Sequence, residues 1–183
     1  MSSPIPRPPK AVFQEAENCI FLYQEALRAY SDAEFIRKPS ESDWSVGQVC
    51  THLMDTWYGF MTLKINKCLE SEEFANEQLG EYGKILLTTR AFPVLKVKGP
   101  PKSTYDPQPA PSRNAAIETF DGLRKAMEEF SIMLESSGNS IGKRRHPRLG
   151  YMNAWEWYEL AGIHLNHHWK QKERIDSFFN SPD

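Results

Sequence analysis

Residues 153–179 read NAWEWYELAGIHLNHHWKQKERIDSFF. No proline interrupts this run, and Asn153 followed three positions on by Glu156 has the form of a helix start. With successive residues about 100° apart on a helical wheel and His164 placed at 0°, Trp157, Leu160, Ala161, Ile175, Phe178 and Phe179 all fall within about 60° of it. His168 comes at about +40°, Gln171 at about −20°, and His167 at the margin, about −60°. A long helix that places two imidazoles on its own apolar face is therefore expected from Asn153 to about Phe179.

Working outward, three more helices follow from the same reasoning. Residues 10–32 carry Val12, Phe13, Ala16, Ile20, Tyr23, Leu27 and Tyr30 at three- and four-residue spacing. Ser45-Val46-Gly47-Gln48 has the S-x-x-Q form of a capping box and predicts a helix running to about residue 70. A third begins near Ser112 and ends at Gly138, a residue suited to a left-handed C-terminal position. Residues 74–92 are read as a short extra helix, and strand alternation is found nowhere over a useful length. Four prolines (Pro4, Pro6, Pro8, Pro9) mark residues 1–9 as an extended arm, and six between Pro93 and Pro111 mark residues 90–112 as an irregular crossover. The connection from about 70 to 112 is long enough to return along the molecule. The expectation is a single all-α domain over residues 1–183, a four-helix bundle of up-down-down-up order with the proline-rich crossover between its second and third long helices.

Composition agrees with one ordinary core. The chain has 183 residues, of which 40% are hydrophobic and 12% aromatic. Its 22 Lys+Arg against 24 Asp+Glu give a formal net charge of −2, which argues against a general nucleic-acid binder. No apolar run approaches the ~20 residues of a membrane helix, and the first twenty residues lack a signal-peptide core. Cys19, Cys50 and Cys68 are odd in number and lack C-x-x-C spacing, so neither a disulfide framework nor a cysteine zinc site is expected. A cytoplasmic location follows.

The chemistry rests on the five histidines. His164 and His168, at i and i+4, can chelate one ion, and a ligand from a facing helix is available only as His52, on the face shared by Val49, Thr56, Phe60 and Leu63. Each could instead be a separate core histidine satisfied by hydrogen bonds. Burying three imidazoles among Trp, Ile and Phe without a shared partner is costly, however, and a divalent ion supplies that partner. Three neutral nitrogens suit zinc or nickel, with iron a further option, and leave positions open for water or substrate. Such an ion lowers the pKa of a bound water or thiol. Gln171 is placed to hydrogen-bond an imidazole behind the ligands, with His167 beside it, and Asp55, one turn on from His52, is a candidate proton acceptor or a solvated carboxylate.

Two segments, WSVGQVCTHL (44–53) and HPRLGYMNAWEWYELAGIHLNHHWKQ (146–171), resemble the DinB/YfiT-like superfamily. The likeness rests on Trp44, Ser45, His52, His164, His168 and Gln171, with His146, Pro147 and Gly150 matching an H-P-x-x-G element. Lys172 departs from many relatives, which place an apolar residue straight after the glutamine. The resemblance implies an up-down-down-up four-helix bundle, a three-histidine nickel or zinc site and homodimers. It also implies activities such as those of thiol S-transferases using low-molecular-weight bacterial thiols.

The remaining features carry less. Lys143-Arg144-Arg145-His146-Pro147-Arg148 concentrates positive charge, either to draw in an anionic substrate or simply to complement a helix C-terminus. His164 lies ~16 Å along the last helix from its start by helical rise, so His146 is not expected to reach the ion. Cys50, Leu53, Met54, Trp57, Met61 and Cys68 lie away from the His52 face and call for a covering partner, either another helix of the chain or a second copy. Two functions remain open: a metal-dependent transferase or hydrolase-like enzyme on a small molecule, or a non-catalytic stress-response or binding protein whose metal is structural or incidental. A pocket with an open coordination position favours the first, and a fourth protein ligand favours the second.

Overall fold

The computed structural model describes residues 4–92 and 105–180. The first three residues of the arm and residues 93–104 of the proline-rich crossover lie outside the described residues.

Helix α1 (Pro9–Ala29) starts with proline at its first position, where the missing amide donor costs nothing, and buries Val12, Ala16, Cys19, Ile20, Tyr23 and Leu27. It stops short of the expected residue 32. Tyr30 is extended, and Ser31 opens a separate short helix α2 (Asp32–Ile36) through a reciprocal capping box with Glu34, so local side-chain capping overrides the apolar stripe. The turn sends Phe35 into the core, where its ring lies against Gly47; a Cβ at that glycine would stand 3.0 Å from the ring and 2.9 Å from Pro109 Cβ.

Ser45 and Gln48 form the expected capping box of α3 (Val46–Thr56): Gln48 N donates to Ser45 Oγ at 3.2 Å and Ser45 N to Gln48 Oε1 at 3.0 Å. The helix then widens into one π-helical turn, Trp57–Met61, closed by Thr62 N donating to Trp57 O, before continuing as α4 (Thr62–Glu70). That turn corrects the wheel. Residues beyond it are rotated relative to His52, which is why Leu63, expected on the histidine face, is 48% exposed. Cys50, Leu53, Trp57, Met61 and Cys68 are covered by the chain itself, so the first of the two expected coverings applies to them.

Helix α5 (Glu81–Thr89) is the short extra helix, and α6 (Arg113–Ser137) begins with Ser112 Oγ accepting from Ala115 N and ends at Gly138, φ +68°. The chain also contains two short strands that the all-α expectation did not include. β1 (Arg144–His146) and β2 (Gly150–Met152) form an antiparallel hairpin across the basic segment, too short for alternation to show. Two of its cations are engaged within the chain: Lys143 Nζ donates to Glu77 O at 2.6 Å, and Arg144 reaches Ser71 Oγ, the residue that ends α4, at 2.8 Å and Glu73 at 3.4 Å. Gly150 sits at φ +87°, with room for a Cβ closed by Gly80 N at 2.2 Å. Glu156 and Asn153 then cap α7 (Ala154–Asn180) reciprocally, as their spacing suggested.

The fold is mainly helical. α1 packs on α6 and α7, and α3 on both α6 and α7. Lys10 N meets the Glu135 carboxylate, Arg124 meets Glu17, Gln24 meets Asp121, and Arg113 meets Asp32. Across the centre Tyr23 stacks on Phe120 with ring centroids 4.9 Å apart and donates to Leu165 O, while Tyr158 donates to Met127 O at 2.7 Å. Trp157, Tyr23 and Tyr158 are fully buried, and each polar tip that donates to a carbonyl keeps the burial of a large aromatic favourable. The apolar face of α7 holds through Ile175, but Phe178, expected on it, is 56% exposed. No helix among the described residues is long and apolar enough to cross a membrane.

Candidate metal centre

α3 presents His52, and α7 presents His164 and His168 one turn apart; the structure brings these three together. His164 Nε2 stands 3.2 Å from His52 Nε2 and 3.0 Å from His168 Nε2. A ring nitrogen has one in-plane site, either an N–H or a lone pair, so His164 Nε2 cannot satisfy both neighbours by hydrogen bonding. A cation can accept all three lone pairs at once. His52 Nδ1 is also buried with no hydrogen-bond partner among the described residues. The three-histidine group therefore fits a divalent ion better than it fits three separately satisfied core histidines.

Protonation favours the same chemistry. Burial lowers the pKa of all three imidazoles: below the usual value for His52, well below it for His164, and to about 3 for His168, where the neighbouring His52 lowers it further and the Gln171 contact opposes. Neutral rings keep their lone pairs available near pH 7. Gln171 Oε1 lies 2.7 Å from His168 Nδ1; with Nδ1–H donating to that oxygen, Nε2 is the lone-pair nitrogen turned towards its two partners.

Around the histidines stand aromatic walls. The Trp44 ring lies 5.0 Å from His52 and stacks on His168 at 6.5 Å, Tyr105 lies 5.7 Å from His52, and Phe92 lies 6.2 Å from His164. Tyr105 donates to Asp55 Oδ2 at 2.7 Å. Asp55 itself is exposed and stands outside the converging group. His167 is also outside it, its ring 5.0 Å from His168 and 4.6 Å from Phe92. Gln48, besides capping α3, donates to Asp106 and to Pro107 O, which ties the crossover beyond residue 105 to the start of the histidine-bearing helix.

His146 stays away from the centre, as its place before α7 suggested. Its ring packs on Phe60 and Trp157, and its Nδ1 accepts from Arg148 N and Leu149 N, both at 3.2 Å, which closes the hairpin turn. Burial, reinforced by Arg148 and Lys64, lowers its pKa to about 4. The three cysteines are buried, and burial pushes each thiol up to about 12, which leaves no thiolate for nucleophilic chemistry. Tyr105 and Phe92 are the site neighbours that sequence reasoning missed, because neither belongs to a periodic helix face.

Helices that converge three imidazoles into one aromatic-walled cluster define a helical protein able to hold a metal ion. The model of the DinB superfamily matches residues 21–171, and the chain belongs to that superfamily. No curated protein and no solved structure matches the chain significantly.

Proposed function

We propose that this protein is a divalent-metal-dependent enzyme acting on a small molecule, a thiol S-transferase or a hydrolase-like enzyme, with His52, His164 and His168 as the ligands of zinc or nickel, or of iron. The observation that carries the reading is the approach of three neutral Nε2 atoms that cannot satisfy one another. The bound ion would supply Lewis acidity, bringing a thiol or water towards its anionic form near neutral pH. Among the described residues no fourth His, Cys, Asp or Glu joins the group, which favours a site open to substrate over a closed structural one. In this reading Gln171 orients His168, Trp44 and Phe92 exclude bulk water, and Asp55, held by the Tyr105 hydroxyl, accepts the proton released by the nucleophile.

The finer architecture belongs to the same proposal. Lys10 with Glu135 and Arg113 with Asp32 support opposite directions for α1 and α6; Arg7 with Glu159 and Tyr30 with Asp176 support a shared direction for α1 and α7. His52 with His164 and Cys68 with Met152 support opposite directions for the second long helix and α7, giving an up-down-down-up bundle. A homodimer in the cytoplasm, with a low-molecular-weight thiol as co-substrate and no nucleic-acid or membrane partner, completes the reading.

Elemental analysis of untagged protein, beside a His168→Ala variant, tests it. Near-stoichiometric zinc, nickel or iron that is lost in the variant is expected. Absence of metal in both, even after incubation with divalent ions, would sink the proposal. Thiol consumption with 1-chloro-2,4-dinitrobenzene as electrophile then separates transferase from hydrolase-like chemistry.

A further inference from the structure

Helix α7 carries a second stripe beside its histidine stripe. His164, His168 and Gln171 follow one another at i, i+4 and i+7; one residue back, Ile163, His167, Lys170 and Arg174 repeat the same spacing. That second stripe forms one wall of a cavity of about 340 Å³ whose other wall is Arg90 and Phe92, at the end of α5. The volume lies in the range of small-ligand sites. The cavity adjoins the candidate metal centre through two rings: Phe92 lies 6.2 Å from His164, and His167 lies 5.0 Å from His168.

Its chemistry is one-sided. Phe92 and Ile163 give it an apolar floor, Arg90, Lys170 and Arg174 supply cations, and no carboxylate lines it among the described residues. Glu159 approaches Arg90 at 3.8 Å but is already bonded to Arg7 at 2.7 Å. Arg90 holds a left-handed backbone, φ +53°, a conformation that a long side chain adopts at a cost and that aims the residue at the end of its helix. Two unbranched cations on consecutive turns of one helix, facing a third across an apolar floor, match a small molecule with an anionic end and an apolar body.

We propose that this cavity binds the carboxylate or phosphate end of the substrate and thereby presents the substrate's reacting part to the three-histidine group. Its role as a substrate site rests on the function proposed above; anion binding itself does not. Phenylacetate, phenyl phosphate and the uncharged phenylacetamide serve as probes, titrated into the full-length protein with and without zinc and followed through backbone amide NMR shifts.

The two anions are expected to move amides of residues 90–92 and 163–174 in both states, with phenylacetamide at least about tenfold weaker. A Lys170→Gln/Arg174→Gln double variant is expected to weaken anion binding about tenfold while keeping its zinc content. Tighter binding of phenyl phosphate identifies a phosphate end, and tighter binding of phenylacetate a carboxylate. Equal response to phenylacetamide, or unchanged affinity in the double variant, overturns the proposal. Binding seen only with zinc and surviving the double variant assigns the anion to the ion, which overturns the pocket and leaves the metal reading standing. Anion binding that persists in a protein unable to hold zinc does the reverse.

Discussion

At the scale of the residue, the candidate site depends on which nitrogen of each imidazole is free. Gln171 fixes that for His168, so Gln171→Leu should leave the helix intact yet weaken zinc affinity about tenfold, as loss of a hydrogen bond behind a ligand commonly does; competition with a chromophoric chelator measures it, and unchanged affinity would mean the contact is only packing. His146 offers a second test, on stability. Its folded pKa of about 4 lies below the unfolded value near 6.5, so the unfolded chain binds the proton more readily between them. Stability is therefore fully present above about pH 6.5 and falls as pH drops through about 4, by about 1–2 kcal/mol once its solvent-facing edge is allowed for. Urea unfolding of metal-free protein at pH 7 and pH 4.5 should show a smaller loss in His146→Asn than in the natural chain. The histidine triad was legible because ligand chemistry restricts residue type and helical spacing restricts direction. Tyr105, the partner of Asp55, was not: it arrives from an irregular segment whose course no periodicity records.

At the scale of the element, reciprocal caps marked helix starts well. Ser45–Gln48 and Asn153–Glu156 form the expected pairs, and Ser112 caps α6. Ser45→Ala should cost about 1 kcal/mol by removing the acceptor of a buried cap, read as a lowered urea midpoint at constant slope. What misled was length. The stripe of α1 continues through Tyr30, yet Ser31 finds its own partner in Glu34 and ends the run. The hairpin over 144–152 was invisible because strands of three residues leave no alternation to count, and its glycine carries the geometry. Gly150→Ala should cost at least about 2 kcal/mol, from positive φ together with the collision with Gly80 N; a smaller loss would show that the turn can relax.

At the scale of the whole molecule, the proline-biased extended arm is an anchor. Arg7 Nε donates to Glu159 Oε1 at 2.7 Å and Arg7 N to Glu159 Oε2 at 3.0 Å, with that glutamate side chain 1% exposed. Proline content revealed the arm's irregularity but not its destination, since contacts 152 residues apart leave no local trace. Arg7→Ala would leave a buried carboxylate with only Arg90, at 3.8 Å, as a cationic partner among the described residues, and a loss of about 2–3 kcal/mol is expected in denaturant unfolding. Arg7→Lys should recover part of it.

The widened turn at Trp57–Met61 bears on how this chain tolerates changes in its count of residues rather than in their kind. A π turn holds one residue more than the α-helix around it, and here exposed Gly59, whose absent side chain would meet nothing within 4 Å, occupies the bulge. Removing a single codon there would let the helix close into regular α geometry and turn the segment from Thr62 onward by about 100° relative to His52. Every histidine would survive in the gene, but Ile65 and Cys68, now buried, and His52 on the preceding helix would no longer share the register that lets both meet α7. At the exposed positions of this turn, such as Gly59, the residue can change while the count cannot.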